Sequence, residues 1–551
     1  MSLIYKVAET ASEFEQIHKL NYRTFAEEIP QHDRNESQKL VDKFHDENTY
    51  IICLKDNRLV GMIAVRGKRP FSLDGKIGPV ERQLPIQVKK PVEVRLLAID
   101  QDYRNGRAFL GLMQALVQYC LKAGYDAALI SGTVREQKLY GQLGFTPFAQ
   151  LTGTAEAAFQ PMYLTKETFD DGIAGRISKP LVNFLPGPAT ISEGVRKAMM
   201  AEPFSHRSSE FESVLERVKD KLTSLTRANY VQLLQGTGTL ANDVVAAQLS
   251  RHNGKGLILV NGEFGSRLTD HAQRFGMDFD TIKVDWGTPF DEDEIKRALC
   301  SGAYSWLWCV HCETSTGVLN DLNSFKKVCL QYGVSLAVDC VSAIGTTTVD
   351  LTDVTYATGV SGKGLLSYTG LSFVFHNEKI TKSDKLPRYL DLGVYAEAQG
   401  IPYTQSSNLV SALDEALLIF EQPEEVYTAI SSRARKVRKA VEQAGFTILA
   451  SEEEAADAIV TISLPADFSA MQLGDNLFLN GFNVHYESAY LRERNWLQIS
   501  CMNNVTEKEL NRMLQLLPFL ISTDELVFTT NPKGKTHPIE GVGDYERIKN
   551  R

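Results

Sequence analysis

The sequence predicts a two-domain α/β protein, in which a smaller mixed domain precedes a larger domain built on a mainly parallel sheet. Three observations carry this prediction. The chain has 551 residues, more than one hydrophobic core usually supports. Strand-like and helix-like patterns alternate in the first part and again from Leu181 to about Ser522. A polar stretch around Asp170-Asp171-Gly172 separates the two parts and is typical of a linker.

These patterns give the expected domain boundaries. We expect a first domain over residues 1–168, a linker over 169–180 and a larger domain over 181–522. Within the larger domain, we expect a small subdomain at about 425–522. Residues 523–551 are polar and contain proline and glycine, so we expect them to form a C-terminal extension.

Composition and charge narrow the class of protein. Hydrophobic residues make up 43% and charged residues 23% of the chain, as in ordinary soluble enzymes. The net charge of −9 argues against a nucleic-acid binder or a membrane-surface binder. No apolar run approaches the roughly 18 residues of a membrane span, and the first residues do not read as a signal region. Cys309 and Cys312 have no second pair, so we expect no metal site, reduced thiols and a cytoplasmic location.

The first domain shows its elements in a regular order. Residues 50–54 and 59–65 are predicted to form a hairpin, and residues 92–99 a further strand. A helix follows, because apolar residues recur at helical spacing from Phe109 to Cys120. Residues 127–131 are predicted to form the next strand. This order indicates a mixed sheet with helices packed against it.

In the larger domain, one strand ends in a carboxylate and a later strand ends near a lysine. Asp339 closes the apolar run 334–339, and Lys363 follows twenty-four residues later in a glycine-rich segment. Such a pair suits pyridoxal 5'-phosphate (PLP), because a lysine amine holds the cofactor's aldehyde and a carboxylate keeps its ring nitrogen protonated. By itself, Lys363 would more often be a solvated surface lysine. Three motifs that precede it in the chain favour the cofactor site.

The three upstream motifs supply the other parts of such a site. Residues 235–239, Gln-Gly-Thr-Gly-Thr, open a helix whose backbone amides and dipole can bind an anion. Phe264 follows a predicted strand at 256–260, so its ring can stack on a planar cofactor. Residues 311–318 bring hydroxyl groups to the end of another strand. Each motif is weak alone, and their order along the chain makes them specific.

In these motifs the chain resembles the class V (fold type I) aminotransferases, especially the alanine–glyoxylate and 2-aminoethylphosphonate–pyruvate branch. The resemblance runs from the segment Phe184-Leu185-Pro186-Gly187-Pro188 to about Leu517. It implies a fold type I PLP-dependent transferase, with a large mainly parallel-sheet domain and a small C-terminal α/β domain. It also implies a homodimer that acts on small-molecule substrates.

The resemblance implies a role for each residue of the site. Lys363 would hold the cofactor and then move the proton between substrate and cofactor, while Asp339 would pair with the ring nitrogen. Phe264 and Val341 would pack on the two faces of the ring, and Thr314 would lie beside the ring hydroxyl. The implied phosphate ligands are Thr237, Gly238 and Thr239 from one subunit and Thr404 and Ser407 from the other.

One position departs from the pattern of the family. The family usually carries an arginine in a strand near the C-terminus, where the guanidinium clamps the substrate carboxylate. The matching position here holds Gln498, whose neutral amide cannot replace that group. We therefore expect Gln498 to lie at the substrate and either Arg492 or Arg494 to bind the carboxylate, or the substrate to carry a different acid group. A local shift in the register of the comparison is the alternative.

A second pattern occurs in the first domain. The strand that begins at Glu93 is followed by a loop with Arg104 and Gly106 and then by a helix, an order typical of a pyrophosphate site. A later segment contains Tyr140. These residues resemble the GNAT family of N-acyltransferases, and residues 21–28 resemble its acyl-homoserine-lactone and N-acyl amino acid synthase branch. The co-substrate implied is an acyl-CoA or an acyl-carrier protein.

The resemblance to acyltransferases also implies individual roles. Tyr140 would protonate the departing thiolate, and Glu93 would remove a proton from the attacking amine. Arg104 and Gly106 would lie in the pyrophosphate loop, although the second glycine of the family's loop is displaced here. The alternatives are a strand-edge carboxylate for Glu93 and a packing role for Tyr140.

Three functional hypotheses follow from the sequence. The first is a bifunctional transferase that moves an amino group between an amino acid or aminophosphonate-like donor and a 2-oxo acid or aldehyde, and acylates an amine. The second keeps PLP but replaces amino transfer by lyase, decarboxylase or condensing chemistry. The third treats the first domain as a degenerate acyl-binding unit with a regulatory role.

Overall fold

The computed structural model describes residues 3–29, 32–104, 106–153, 158–177 and 180–521. Its fold is α/β, as the sequence predicts, with one sheet in the N-terminal part and another in the larger part. The predicted C-terminal extension at 523–551 lies outside the described residues. Within the described ranges, no helix is both long enough and apolar enough to cross a bilayer.

Seven strands form the sheet of the N-terminal domain. They are β1 (Ile4–Val7), β2 (Thr49–Lys55), β3 (Arg58–Arg66), β4 (Pro91–Ile99), β5 (Ala127–Thr133), β6 (Thr146–Pro147) and β7 (Phe159–Leu164). Their order in the sheet is β1-β2-β3-β4-β5-β7-β6. Only β4 and β5 pair in parallel, and the other neighbours are antiparallel. The predicted hairpin and the two further strands are therefore present.

Six helices pack against this sheet or follow it. They are α1 (Ala11–Tyr22), α2 (Asp74–Ile77), α3 (Arg107–Lys122), α4 (Gln137–Gln142), α5 (Lys166–Asp171) and α6 (Ile173–Ile177). The interval predicted as a linker is thus partly helical. The reason is that Phe169 on α5 is 4% exposed and packs in the hydrophobic core of the N-terminal domain. Thr165 caps α5 by accepting a hydrogen bond from the backbone N–H of Thr168.

The larger part contains the strands from β8 to β17. They are β8 (Val182–Asn183), β9 (Tyr230–Gly236), β10 (Lys255–Val260), β11 (Phe279–Lys283), β12 (Tyr304–Val310), β13 (Cys312–Glu313), β14 (Val318–Leu319), β15 (Ser335–Asp339), β16 (Tyr356–Val360) and β17 (Gly370–His376). Seven of them form the main sheet in the order β11-β10-β12-β15-β16-β17-β9. All seven run in one direction except β17. The carboxyl ends of the parallel strands therefore meet at one edge of the sheet.

Helices cover both faces of this sheet, since its strands are buried on both sides. They are α7 (Glu193–Met200), α8 (Ser209–Thr226), α9 (Gly238–Leu249), α10 (Glu263–Arg274), α11 (Glu292–Cys300), α12 (Leu322–Tyr332), α13 (Leu392–Glu397) and α14 (Ser407–Ala416). Helix α9 begins directly after β9, and α10 begins a few residues after β10. The N-termini of both helices consequently lie at the carboxyl edge of the sheet.

A smaller unit with a three-stranded sheet follows in the described residues up to 521. Its elements are α15 (Pro423–Gln443), β18 (Thr447–Ile448), β19 (Ile459–Ser463), α16 (Ala470–Leu479), β20 (Phe482–Asn483), α17 (Ala489–Arg494), β21 (Trp496–Ser500) and α18 (Glu507–Ile521). Strands β18, β19 and β21 form an antiparallel sheet. Strand β20 pairs in parallel with β8, so the chain enters the larger part through this small subdomain.

The small subdomain is joined to the N-terminal domain through the end of α16. The side-chain amide of Asn480 accepts a hydrogen bond from the backbone N–H of Tyr5 at 3.0 Å and donates one to the carbonyl of Tyr5. Asn476 accepts a further hydrogen bond from the N–H of Val7. These contacts cover the edge strand β1, which would otherwise expose unpaired backbone groups. A single hydrophobic cluster spans the junction, with Ile17 and Leu477 among its members.

Candidate active site

Lys363 lies in the loop after β16, at the carboxyl edge of the main sheet. Its Nζ donates a hydrogen bond to Ser342 Oγ at 2.8 Å and lies 5.1 Å from the centroid of the Phe264 ring. Burial lowers the pKa of Lys363, and the charge of Asp339 opposes that shift. A larger fraction of Lys363 is therefore neutral than in a solvated lysine, and the neutral amine is the form that attacks a carbonyl carbon.

Asp339 ends β15 and is held in one orientation by two donors. Its carboxylate accepts a hydrogen bond from Asn242 Nδ2 at 2.8 Å and one from the backbone N–H of Val341 at 2.9 Å. The hydroxyl of Thr358 donates to Asn242 Oδ1, which fixes the amide so that its nitrogen faces the carboxylate. Asp339 is 5% exposed, so a cationic or protonated group placed next to it interacts at low dielectric.

The first turn of α9 forms an anion cradle beside Asp339. Thr237 is the N-cap residue of α9, and its side chain makes no capping hydrogen bond. The hydroxyls of Thr237 and Thr239 are exposed, and the first N–H groups of a helix have no partner within the helix. A Cβ at Gly238 would lie 3.1 Å from a methyl carbon of Val341, so this turn packs directly against the residues that follow β15.

A buried carboxylate fixes the position of Phe264. Glu313 accepts hydrogen bonds from the backbone N–H groups of Phe264 and Gly265, at the N-terminus of α10, and from Ser315. A negative group at this place satisfies free N–H groups and complements the helix dipole. A Cβ at Gly262 would lie 2.4 Å from the carboxyl carbon of Glu313, so this close approach requires glycine.

Thr314 and Ser342 complete the floor of the site. The hydroxyls of the two residues are 3.5 Å apart, and Ser342 is also the partner of Lys363. Thr314 is 3% exposed, and its backbone carbonyl accepts a hydrogen bond from Gln498. The structure thus brings together Lys363, Asp339, Phe264, Val341, Thr314 and the three phosphate-loop residues that the sequence predicts.

Gln498 lies in this region, but its side chain is fully occupied within the protein. Its Nε2 donates to the carbonyls of Thr314 and Ser315 and to the hydroxyl of Thr461. Its Oε1 accepts from His485 Nδ1 at 2.8 Å and from the hydroxyl of Tyr490 at 3.3 Å. Since this residue is 0% exposed and its hydrogen-bonding capacity is used within the protein, the structure does not favour direct substrate binding by Gln498, which stays a prediction.

The two arginines near Gln498 do not replace the missing clamp. The guanidinium of Arg494 stacks on Trp286 at 3.9 Å from the ring centroid and donates to the carbonyl of Tyr490. Arg492 is exposed on α17. Arg494 is thus held against Trp286, and Arg492 lies on the exposed side of α17. These positions do not support the expectation that one of them reaches the substrate.

A different arginine lies closer to the site. The guanidinium carbon of Arg267, on α10, is 5.0 Å from the centroid of the Phe264 ring. Its Nε and Nη2 pair with Glu263 one turn earlier on the same helix. The side chain is 54% exposed, so it is open to the solvent side of the pocket.

Of the two residues expected to reach a partner subunit, only one is exposed. Thr404 is exposed, and its backbone carbonyl accepts a hydrogen bond from Gln235. Ser407 is 2% exposed at the start of α14, and its hydroxyl accepts a hydrogen bond from the N–H of Phe204. The expectation for Ser407 stays a prediction that this geometry does not favour, because its hydroxyl oxygen already accepts a hydrogen bond within its own chain.

In the N-terminal domain, β4 and β5 separate and open a cleft between them. The two strands pair in parallel only as far as Glu93 and Leu129. Beyond this point β4 carries a register shift, with Leu96 at a φ of 50°. Backbone groups at the diverging ends are therefore available to a ligand that enters between the strands.

Tyr140 lies beside this opening. Its ring is 3.0 Å from the position that a Cβ on Gly132 of β5 would occupy, and Gly132 lies beyond the part of β5 that pairs with β4, although it still pairs with β7. Burial raises the pKa of Tyr140, although a hydrogen bond with Thr133 opposes the shift. The phenol is therefore protonated at neutral pH, as the predicted role of a proton donor requires.

Glu93 and Arg104 are engaged by other parts of the N-terminal domain. The carboxylate of Glu93 accepts three hydrogen bonds, from the N–H and hydroxyl of Ser72 and from the N–H of Leu73. Because Glu93 anchors this segment and is 1% exposed, its role as a general base stays a prediction that this geometry does not favour. Arg104 pairs with Glu28 and donates to the carbonyl of Ile99, so its charge is already compensated. Gly106 is the N-cap of α3 with a φ of 86°, which suits glycine.

Known proteins resemble both parts of the chain. The sequence model described as "Aminotransferase class-V" matches residues 195–402. A 2-aminoethylphosphonate–pyruvate transaminase of Pseudomonas aeruginosa is 30% identical over 302 residues, which cover 51% of this chain and 80% of that protein. The chain belongs to the class V aminotransferases. A protein named the soluble hydrogenase 42 kDa subunit of Anabaena cylindrica is also 30% identical, over 52% of this chain and 79% of its own.

The N-terminal part of this class V aminotransferase matches a second family. The sequence model of the N-acyl amino acid synthase FeeM covers residues 16–166. The expectation of an acyltransferase domain fused to a PLP-dependent aminotransferase is thereby confirmed. The protein is a PLP-dependent aminotransferase whose N-terminal domain is similar to the N-acyl amino acid synthases.

Solved structures confirm the fold of the larger part. Alanine–glyoxylate aminotransferase from a Nostoc species has a TM-score of 0.58 and 24% sequence identity, over 63% of this chain and 96% of that one. Pyridoxamine–pyruvate aminotransferase from Mesorhizobium loti has a TM-score of 0.59 at 20% identity, over 62% of this chain and 92% of its own. These likenesses identify the fold type I architecture that the sequence predicts.

The residues of this aminotransferase fit PLP. A buried lysine amine, a buried oriented carboxylate and an aromatic ring adjoin each other, and the nearby helix N-terminus is open to a phosphate. Ser342, Asn242 and Glu313, which the sequence does not single out, orient these groups. The sequence predicts these three residues poorly, because each one acts through a contact with a residue from another segment of the chain. Of these three residues, only Glu313 is marked by the sequence pattern, because it is an acidic residue next to an apolar stretch at the end of a strand.

Proposed function

We propose that this protein is a bifunctional transferase. At the carboxyl edge of the main sheet, it moves an amino group from an amino acid or aminophosphonate-like donor to a 2-oxo acid or aldehyde. At the cleft between β4 and β5, it transfers an acyl group from acyl-CoA or an acyl-carrier protein to an amine. The observation that carries the first activity is the buried amine of Lys363 between Ser342 and the Phe264 ring.

The proposed amino transfer uses the side chains as follows. PLP supplies an aldehyde that accepts the amino group and a ring that withdraws electrons from the substrate carbon. Lys363 would hold the cofactor through Nζ, and its amine would also be the group that takes up and returns a proton at the substrate carbon. Ser342 accepts a hydrogen bond from Nζ and so keeps the amine near both positions. Asp339 and Asn242 keep the proton on the ring nitrogen.

The remaining cofactor contacts follow from the same geometry. Thr237, Gly238 and Thr239 bind the phosphate at the N-terminus of α9. Phe264 and Val341 would hold the ring between them, as the resemblance to the family implies. Thr404 of a second copy approaches the phosphate in a homodimer, as the resemblance to the family implies. This dimer is supported by the exposure of Thr404 and not by the buried Ser407.

The proposed acyl transfer rests on the cleft and on Tyr140. The thioester enters between β4 and β5, where backbone groups hold the pantetheine arm, and the start of α3 at Gly106 binds the phosphates. Tyr140, which its raised pKa keeps protonated at neutral pH, gives its proton to the departing thiolate. The amine that forms by amino transfer at Lys363 is a suitable acceptor of the acyl group, since N-acylation requires an amino group.

The test compares two variants in two assays. Lys363→Ala is expected to remove the cofactor's absorbance and amino transfer while leaving thiol release from an acyl donor unchanged. Tyr140→Phe is expected to slow thiol release by about 10²–10⁴-fold and to leave amino transfer unchanged. A purified protein whose cofactor no amino donor converts would favour lyase, decarboxylase or condensing chemistry instead. Loss of both activities in Tyr140→Phe would indicate structural damage and contradict its assigned role.

A further inference from the structure

The pocket beside Lys363 has a neutral wall where an anionic substrate needs a cation. This neutral wall consists of the partly exposed His485 and of Gln498, which is itself 0% exposed, and their side chains bond to each other at 2.8 Å. His485 Nδ1 must carry the proton, because Gln498 Oε1 can only accept, and burial lowers the pKa of His485. Neither group therefore offers a positive charge to an acid, although burying an unpaired anion is unfavourable.

Arg267 supplies a positive charge near the reacting amine. Its guanidinium carbon and Lys363 Nζ are 5.0 Å and 5.1 Å from the same Phe264 ring centroid, which limits their separation to about 10 Å. Arg267 also lies one helical turn after Phe264, whose position is fixed by Glu313. The guanidinium is therefore carried by a rigid helix terminus at the edge of the pocket.

The surroundings of Arg267 indicate the side of the pocket that it faces. Burial raises the pKa of Tyr490, and Arg267 is one of the charges that oppose this shift. The hydroxyl of Tyr490 donates to Gln498 Oε1 at 3.3 Å. Arg267 thus interacts electrostatically with Lys363 and with Tyr490, which bonds to the neutral wall, so an acid group of the substrate beside Lys363 would lie within its field.

We propose that Arg267 binds the acid group of the amino donor and of the oxo acceptor. This inference rests on the proposed amino transfer and names the substrate class as carboxylates, phosphonates or sulfonates whose anion is bound from α10. A guanidinium has five N–H donors, and only two of its nitrogens pair with Glu263. Its other N–H groups can bind an oxyanion with two parallel hydrogen bonds.

The test measures binding of simple acids to the PLP-loaded protein by calorimetry, which requires no turnover. The probes are methylphosphonate and acetate. Arg267→Met is expected to raise the dissociation constant of methylphosphonate at least about tenfold, and Arg267→Lys to raise it less, because the charge remains without the planar fork. The matched control is Arg274→Met, since Arg274 forms the same kind of pair with Asp270 farther along α10 and is 71% exposed.

The outcomes separate this inference from the proposed function. Equal dissociation constants in Arg267→Met and the wild type, or a wild type that binds neither probe, would overturn the role of Arg267. Donors that convert the cofactor with the same KM in Arg267→Met as in the wild type would overturn it as well. If the wild type binds the probes through Arg267 but no amino donor converts the cofactor, the anion site stands and the proposed amino transfer fails.

Discussion

Single residues in this protein are specified by partners that come from distant parts of the chain. Asn242 on α9 orients Asp339 on β15, and Ser342 holds the amine of Lys363. Gln498 connects the small subdomain to the segment around Thr314. The replacement of the family's arginine by Gln498 therefore affects more than one side chain. A neutral hydrogen-bonded network surrounds Gln498 at the position where the resemblance implies a charged arginine.

Restoring an arginine at position 498 is expected to destabilise the protein. Gln498→Arg puts a cation among two carbonyls, a neutral imidazole and two hydroxyls, with no carboxylate to compensate it. We expect the free energy of unfolding to fall by about 3–5 kcal/mol and the affinity for α-amino acids not to rise. Denaturant unfolding measures the first and cofactor titration the second.

The matched control for this substitution is Gln443→Arg, at the exposed end of α15. It adds the same charge at a solvated position, where a change of less than about 0.5 kcal/mol is expected. If Gln498→Arg were as stable as this control and bound simple α-amino acids more tightly than the wild type, position 498 would be a vacated substrate clamp.

At the scale of elements, helix N-termini bring the chemistry to one edge of the main sheet. Helix α9 leaves its first turn open to an anion, whereas the first turn of α10 is closed by the protein's own Glu313. The two helices begin at the same edge and consequently have different functions. The first is left free for the phosphate that we propose, and the second fixes the ring of Phe264 and the position of Arg267.

The anchoring of α10 predicts an effect on cofactor affinity. Glu313→Gln replaces an acceptor oxygen by an NH₂ group that faces backbone N–H donors of Phe264, Gly265 or Ser315. A buried donor without a partner costs about 1–3 kcal/mol, so we expect the PLP dissociation constant to rise about tenfold or more. Absorbance titration of the cofactor-free protein measures this constant.

Glu292→Gln provides the comparison, because Glu292 is a partly exposed carboxylate in the first turn of α11. Its cofactor affinity is expected to equal that of the wild type. Unchanged PLP affinity in Glu313→Gln would mean that the N-terminus of α10 does not control the position of Phe264.

At the scale of the whole molecule, the acyltransferase domain is attached to the small subdomain. Asn480 completes the hydrogen bonding of strand β1, and Lys122 on α3 pairs with Asp475 and Tyr486. Apolar residues from both domains share one core. Any displacement of the small subdomain toward the PLP site therefore moves the acyltransferase domain with it.

Removal of the Asn480 side chain tests this attachment. Asn480→Ala leaves the N–H and carbonyl of Tyr5 without their partner, so we expect the free energy of unfolding of the N-terminal domain to fall by about 1–3 kcal/mol. Hydrogen exchange at β1 measures the local effect. Gln472→Ala, at an exposed position on the same helix, is expected to leave exchange at β1 unchanged. Equal protection of β1 in both variants would show that the junction depends on apolar contacts alone.

The sequence by itself determined the α/β fold, the two enzyme families and the residues that gather at the sheet edge. It could do so because Asp339, Phe264 and the segment 235–239 lie at strand ends, and parallel strands bring their carboxyl ends together. The tertiary structure alone decided which groups orient these residues, that Gln498 and Glu93 are engaged by internal hydrogen bonds, and that Arg267 lies near the ring of Phe264. These facts depend on contacts between segments far apart in the chain, and local patterns of apolar and polar residues carry no record of such contacts.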